Sequence, residues 1–351
     1  MSLRLSVLDQ SPVGEGFTHS DALRASVELA ERADALGFTR YWVAEHHHSP
    51  GFAGTAPEIL AGTLLSRTTR MRIGTGGVLL PRYEAVKVAE VFSVLASLHP
   101  GRVDLGLGRA GGPAQGFPQQ VREVSRLLGL GEGRGEAGGQ AREAGPLPPL
   151  VSAPDVPPRL WLLGAGTRSA VLAGELGASF AFAHFLAPEP GVAALEGYRQ
   201  GLAASAAASA GGPAEKGVLA VRAVVADTRE QADGLALSLL LWRSRKDLGE
   251  DRPLPSPAEA RRHRWSGAEA DRAAVNSQAL VYGTPEQVRE ELERLAAAHG
   301  VDEIVVNTLT QDPADRVRSY ELLAQAFALP GSALPGSGPR EPAAHREPAV
   351  A

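Results

Sequence analysis

The sequence predicts an α/β fold: a (β/α)8 TIM barrel with insertions and a disordered C-terminal tail. Three observations predict it. Strand-like and helix-like periodicities alternate eight times along the chain. The 329 residues ahead of the tail suit one barrel, whose usual size is ~250 residues before insertions. The 44% apolar content is enough for a sizeable core. An open doubly wound sheet is the structural competitor, because it shows the same alternation. The barrel is assigned to residues 1–329 and the Pro/Gly-rich tail to 330–351.

The first strand is Leu3-Arg4-Leu5-Ser6-Val7-Leu8, with period two. Ser20 to Leu36 places Leu23, Val27, Ala30 and Ala33 at helical spacing, and Gly37 stops it. Tyr41-Trp42-Val43-Ala44 is a short aromatic and β-branched strand, and Pro57 to Arg67 is helical. Met71 to Leu80 is a strand interrupted by Gly74, Gly76 and Gly77. Glu84 to Leu98 has Val88, Val91, Phe92 and Leu95 on one helical face, ended by His99-Pro100-Gly101. The fourth strand is Val103-Asp104-Leu105-Gly106, and the helix after it Phe117 to Leu128. Gly129 to Pro158 is rich in Gly and Pro and reads as an irregular excursion. Then follow strand Leu160–Leu163, helix Thr167–Leu176, strand Phe180–Phe182, helix Ala193–Ala208, strand Val218–Val225 and helix Glu230–Trp242. Lys246 to Ala274 is a polar excursion, expected to be mobile and to contact substrate. Helix Pro285–His299, strand Glu303–Asn307 and helix Pro313–Phe327 complete the pattern.

Charge and composition exclude several functions. Thirty-five Lys+Arg against 40 Asp+Glu give a net charge of −5, which disfavours nucleic-acid binding. The chain has no cysteine, so disulfides, thiolate metal sites, iron–sulfur clusters and a Cys nucleophile are impossible. The absence of a leader-like or ~18-residue apolar run leads us to expect a cytoplasmic protein with no membrane partner.

In a barrel, functional groups follow the strand ends. Glu45-His46-His47-His48 follows the second strand. The imidazoles suit either a metal site or a proton-transfer histidine in a cofactor pocket, or they are solvated loop residues. His46, at the strand mouth, is the candidate catalytic residue. Gly76-Gly77 follows the third strand, either as a shelf for a flat ligand or as a simple bulge. Arg109 follows the fourth, as an anion ligand or a surface ion pair. Gly164-Ala165-Gly166-Thr167-Arg168-Ser169 opens a helix whose free N–H groups suit a phosphate, unless it is an ordinary capped start. A dinucleotide is rejected, because the next strand, Phe180 to Phe185, ends in no acid for a ribose. No lysine at the strand ends suits a pyridoxal Schiff base. A planar, singly phosphorylated cofactor such as FMN remains, and the metal-site assignment is none.

Beyond this, the chain resembles the bacterial luciferase-like flavin monooxygenases, in their alkanal-monooxygenase-like branch. The resemblance rests on Leu8-Asp9-Gln10-Ser11-Pro12, Tyr41-Trp42-Val43-Ala44-Glu45-His46-His47, Ala56-Pro57-Glu58 and Gly74 to Pro81. It continues in Pro100 to Arg109, Gly283-Thr284-Pro285-Glu286 and Arg318 to Ala324. It implies a monooxygenase that takes reduced FMN from a separate flavin reductase and oxygenates a small organic substrate through a flavin C4a-peroxide. A deazaflavin-dependent oxidoreductase of the same superfamily and a non-catalytic flavin-binding barrel are the alternatives. The resemblance also implies His46 as the active-site histidine, Gly76-Gly77 as a non-prolyl cis peptide against the flavin ring, and Arg109, Gly166 and Ser169 at phosphate positions. Gly164 and Ala165 complete the cofactor-binding set. Gly108 stands where luciferase carries a reactive cysteine. A homodimer is implied too, with the helix Glu84–Leu98 either as its surface or wholly core-facing. Long-chain aldehydes are the family default, and aromatic or polyketide-like substrates are equally open.

The chain departs from the resemblance after Arg109, where Ala110 to Gly116 is shortened by several residues. His48 replaces a usual Asn, and Ala165 and Gly166 lack the hydroxyls common there. A lost charge-assisted phosphate contact costs ~1.5–3 kcal/mol, so weak FMN retention is expected.

Overall fold

The structure, a computed structural model, describes residues 3–109, 112, 115–130, 150, 153–205 and 217–332. Its elements run β1 (Arg4–Asp9), α1 (His19–Leu36), β2 (Arg40–Val43), α2 (Pro57–Arg67), β3 (Arg72–Thr75), β4 (Val78–Leu79), α3 (Ala85–Leu98), β5 (Val103–Gly108) and α4 (Phe117–Leu127). Then come β6 (Arg159–Gly164), α5 (Thr167–Glu175), β7 (Ser179–Ala183), α6 (Gly191–Ala204), β8 (Val218–Val225) and α7 (Arg229–Asp247). The last are α8 (Pro257–Arg262), α9 (Gly267–Ser277), β9 (Leu280–Gly283), α10 (Pro285–His299), β10 (Glu303–Asn307) and α11 (Pro313–Ala326).

Eight strands close a parallel barrel in the order β1-β2-β3-β5-β6-β7-β8-β10, and β10 returns to β1 with Leu5 opposite Ile304. Closure rules out the open sheet. The hand-over from β8 to β10 leaves the upper part of β8 free, and β9 pairs there, Arg222 opposite Leu280. The outward residues of each strand, such as Val7, Tyr41, Leu105 and Val306, form one core with the helices. The inward residues Leu8, Trp42, Trp161, Ala181, Ala220 and Val305 form a second core inside the barrel. This is the period-two alternation of strands buried on both faces.

The lower end of the barrel is plugged by charge. Arg40 Nε and Nη2 donate to the two carboxylate oxygens of Glu303 at 2.5 and 3.0 Å, and Nη1 donates to Asp104 Oδ2 at 2.9 Å. Trp42 Nε1 donates to the same Asp104 oxygen, and the guanidinium lies 4.6 Å from the Trp161 ring centre. These groups sit at the strand starts, the end of a barrel that carries stability rather than chemistry.

Several expectations are corrected. Lys246 to Ala274 is not a loose excursion: α8 and α9 stand in it, and Leu254 pairs with the β1–α1 connection through Leu254 N–H to Val13 O and Glu15 N–H to Leu254 O. The strand β9 was not expected. Met71 to Leu80 splits at Gly76-Gly77 into β3 and β4. The chain at 330–332 is not free, since Gly331 N–H donates to Leu36 O. The rest of the tail (333–351), most of the Gly129–Pro158 excursion, most of the shortened stretch after Arg109 and positions 206–208 of the sixth helix lie outside the described residues.

Candidate functional site

The four predicted groups follow the C-terminal ends of β2, β3, β5 and β6, which are consecutive staves of the barrel. They therefore share the upper face, where such barrels hold their chemistry.

β2 delivers His46. Beyond the strand the chain stays tied on both sides, Ala44 N–H to Asp9 O at 2.9 Å and His46 N–H to Gly54 O at 2.8 Å. The imidazole stacks on Phe52 with ring centres 4.2 Å apart. Its Nε2 lies 3.2 Å from Gln10 Nε2. With the amide as donor, the neutral ring accepts at Nε2 and carries its proton on Nδ1. That Nδ1 and Gln10 Oε1 are both buried with no hydrogen-bond partner among the described residues. Burial, and next the charge of Lys246, push the His46 pKa down to about 4. The ring is neutral at neutral pH.

The neighbouring histidines diverge. His47 Nε2 bonds Glu45 Oε1, while His48 is exposed in a left-handed conformation at φ 55°. Glu45 is buried, accepting from Leu79 N–H at 2.8 Å and the Tyr83 hydroxyl at 2.7 Å. It ties the end of β2 to the chain just past the glycine pair. Among the described residues, no group of three or more His, Asp or Glu is placed to hold a metal.

The Gly76-Gly77 peptide is cis, and Gly76 N–H donates to Val43 O at 2.8 Å. A Cβ on Gly76 would lie 2.6 Å from Leu8 Cδ1, and one on Gly77 2.7 Å from Gly106 O. Packing from the barrel side thus demands two bare glycines here. By contrast, a Cβ on Gly108 or Gly166 would meet nothing within 4 Å, so open space lies over the ends of β5 and β6.

Arg109 is exposed, and its Nη1 donates to Gly112 O at 2.7 Å. It is turned along its own loop. Gly166 is the N-cap of α5, with extended backbone and no side-chain cap, which leaves the first-turn amides for an anion. Ser169 packs its Cβ against Gly164, where a Cβ would lie 2.6 Å away, and Ala165 is half-buried just past the end of β6.

Sequence reading missed Gln10, Phe52, Arg222 and Asn307. Register could have found three of them: Gln10 is two residues beyond inward Leu8, Arg222 two beyond Ala220 and Asn307 two beyond Val305. Arg222 is buried and donates from Nε to Asn307 Oδ1 at 3.2 Å.

A cleft of about 490 Å3, lined by His184, Arg229, Tyr282, Glu291 and Arg294, lies against β9 and α10. It includes none of the groups above. The cleft holds one buried atom without a partner, His184 Nδ1, whereas the barrel mouth brings two, His46 Nδ1 and Gln10 Oε1, to the same face as the bare glycines, which makes the mouth the candidate site.

The profile of the luciferase-like monooxygenase family matches residues 3–303. The chain is 39% identical to protein YwcH of Bacillus subtilis, covering 92% of this chain and 99% of that one. It is 35% identical to the N-acetyl-S-alkylcysteine monooxygenase of the same organism, covering 92% and 98%. Among solved structures, apo-MsnO8 superposes with a TM-score of 0.77 at 32% identity, covering 93% and 99%. A barrel with this upper face, matched over this length, belongs to the luciferase-like monooxygenase family.

Proposed function

We propose that the protein is a monooxygenase that binds reduced FMN at the barrel mouth and inserts one oxygen atom of dioxygen into a small organic substrate. The observation that carries this reading is the pair of buried, unpaired polar atoms, His46 Nδ1 and Gln10 Oε1, at the same strand-end face as a bare glycine pair. Buried polar atoms without partners are costly, so a heteroatom-bearing ligand is expected beside them. A flat ring fits such donors and acceptors, and the open α5 start fits its single phosphate. Bound reduced FMN supplies the two electrons that, with two protons, leave the second oxygen atom as water.

The chain's own residues do the rest. Gln10 holds the His46 tautomer, so that Nδ1–H points away as a donor. Burial and Lys246 keep the ring neutral at neutral pH, so that His46 acts as a hydrogen-bond donor through Nδ1 rather than as a base. Phe52 covers the ring and, with Trp242 edge-on at 5.4 Å, keeps water from that side. The first-turn amides of α5 would grip the phosphate, joined by Arg109 once its guanidinium leaves Gly112.

Anaerobic titration with reduced FMN, followed by the fluorescence of the four tryptophans, tests the reading. Saturable quenching that elutes away on gel filtration is expected, followed by transfer of 18O from labelled dioxygen to a thioether such as N-acetyl-S-benzylcysteine. A flavin that co-purifies tightly contradicts the weak retention. Binding of reduced deazaflavin in place of FMN overturns the oxygenase assignment in favour of hydride transfer. His46→Ala is expected to lower substrate-dependent oxygen uptake about 10²-fold or more. Delivery of the reduced flavin by a separate reductase, and pairing of two chains through α2 and α3, are further parts of this proposal.

A further inference from the structure

Three arginines are buried among the described residues: Arg40, Arg222 and Arg316. Two have carboxylates. Arg40 meets Glu303 and Asp104, and Arg316 Nη1 meets Asp9 Oδ1 at 2.8 Å. Arg222 forms no ion pair among the described residues. Its Nε bond to Asn307 Oδ1 is to a neutral amide, and its guanidinium carbon lies 5.0 Å from the Phe185 ring centre. Neither Nη has a hydrogen-bond partner among the described residues, and neither is sealed from open space.

The placement is specific. Arg222 continues the inward register of Val218 and Ala220 on β8. In the closed strand order β8 stands across the barrel from β3, which ends at Gly76-Gly77. Its charge also helps to lower the His46 pKa, so the two groups lie within electrostatic reach of each other. The charged groups whose fields reach it, Arg243 and Asp247, act in opposite directions and are paired with each other at 2.7 Å. Burial lowers the Arg222 pKa to about 9, which still leaves the side chain protonated at neutral pH. A buried, uncompensated cation is costly unless something negative arrives to meet it.

We propose that Arg222, held by Asn307, is the subsite for a carboxylate carried by the organic substrate. This rests on the reading of the barrel mouth as the active site. Two free Nη groups form the fork that takes both oxygens of a carboxylate. A single negative charge balances a single guanidinium, whereas a phosphate dianion would stay overcharged beside the Phe185 ring. The flavin phosphate has its own place at the start of α5, away from β8.

Calorimetric titration tests this without turnover. The probes are N-acetyl-S-benzylcysteine and 3-phenylpropanoate, each against its carboxamide, with the full chain alone and with FMN added. The wild type is expected to bind an acid at least tenfold more tightly than its amide. Arg222→Gln should abolish that preference, and Arg222→Lys should keep part of it. Asn307→Asp keeps the arginine but gives it an internal carboxylate, at the cost of the bond from Asn307 Nδ2 to Leu8 O, and should also abolish the preference. Equal binding of acid and amide by the wild type, with and without FMN, overturns the proposal. So does a preference that survives Arg222→Gln. If Arg222→Gln instead weakens reduced FMN and leaves the acids unaffected, the arginine serves the cofactor and the subsite is wrong. Failure of the wild type to bind reduced FMN would sink the reading of the site itself, independently of these titrations.

Discussion

Burial holds His46 at a pKa of about 4, against 6.5 for an ordinary imidazole. Between those values the unfolded chain binds the proton more readily than the folded one. The sign follows: the stability tied to this neutral ring is full above pH 6.5 and is lost as the pH falls toward 4. A shift of this size corresponds to something on the order of 3 kcal/mol at complete protonation. His46→Asn should therefore lose less stability than the wild type when urea midpoints are compared at about pH 7.5 and about pH 5. His184, also lowered to about 4 by burial, contributes equally to both proteins and cancels. Parallel losses in the two proteins would show that His46 is not held neutral by the fold. The position of His46 was legible in the sequence, because it follows a strand at a barrel mouth. Its protonation state was not, since Phe52, Lys246 and Asp251 come from a loop and a distant helix end that only the folded chain brings to it.

At the scale of elements, the segment after α7 shows why composition misled. α9 has no buried residue, so it carries no apolar stripe for periodicity to detect. Its start was nonetheless legible as a capping box, Ser266 with Glu269, and α8 begins with Ser256 accepting from Glu259 N–H. β9 is four residues long and pairs only above the barrel, too short to separate from a loop. The segment is fastened to the β1–α1 connection partly by a carboxyl pair. Burial, then the hydrogen bond to Glu259, raise the Glu15 pKa from 4.5 to about 7. A raised carboxyl pKa contributes stability in full below 4.5, and that contribution is lost as the pH climbs through 7. The thermal midpoint of the wild type should fall between about pH 6 and about pH 8.5, and Glu15→Gln should flatten that fall. The amide keeps a permanent donor toward Glu259. Hydrogen exchange of the 254–262 amides should speed up with pH in the wild type more than in the variant, once corrected for the intrinsic rate. Identical profiles would mean that the two carboxyls do not share a proton.

Over the whole molecule, the eight barrel strands were legible because each is short, apolar and followed by a helical stripe. What composition could not say was which helix faces are covered. α3 turns Val88, Ala89 and Phe92 to the core, yet Val94 and Leu98 are 50% and 68% exposed, and Ile59 of the adjoining α2 is 69% exposed. Gly62 brings the two helices together, since a Cβ there would lie 3.3 Å from Leu95 Cδ2. Val91, Val94, Leu95 and Leu98 follow the spacing of one helical stripe, and Ile59 and Gly62 lie one turn apart beside it. So the helix is both core-facing and a surface. Scattered apolar residues need no explanation, but large ones aligned on two neighbouring helices fit a self-complementary two-fold contact. Sedimentation velocity at micromolar concentration should give twice the 36.6 kDa chain mass. The double variant Ile59→Glu, Leu98→Glu should sediment as a single chain, because two such contacts lose burial and meet like charge across the axis. Its circular dichroism should stay native, since neither side chain touches the core. A wild type that sediments as one chain at every concentration, or a double variant that still pairs, would place the contact elsewhere or remove it.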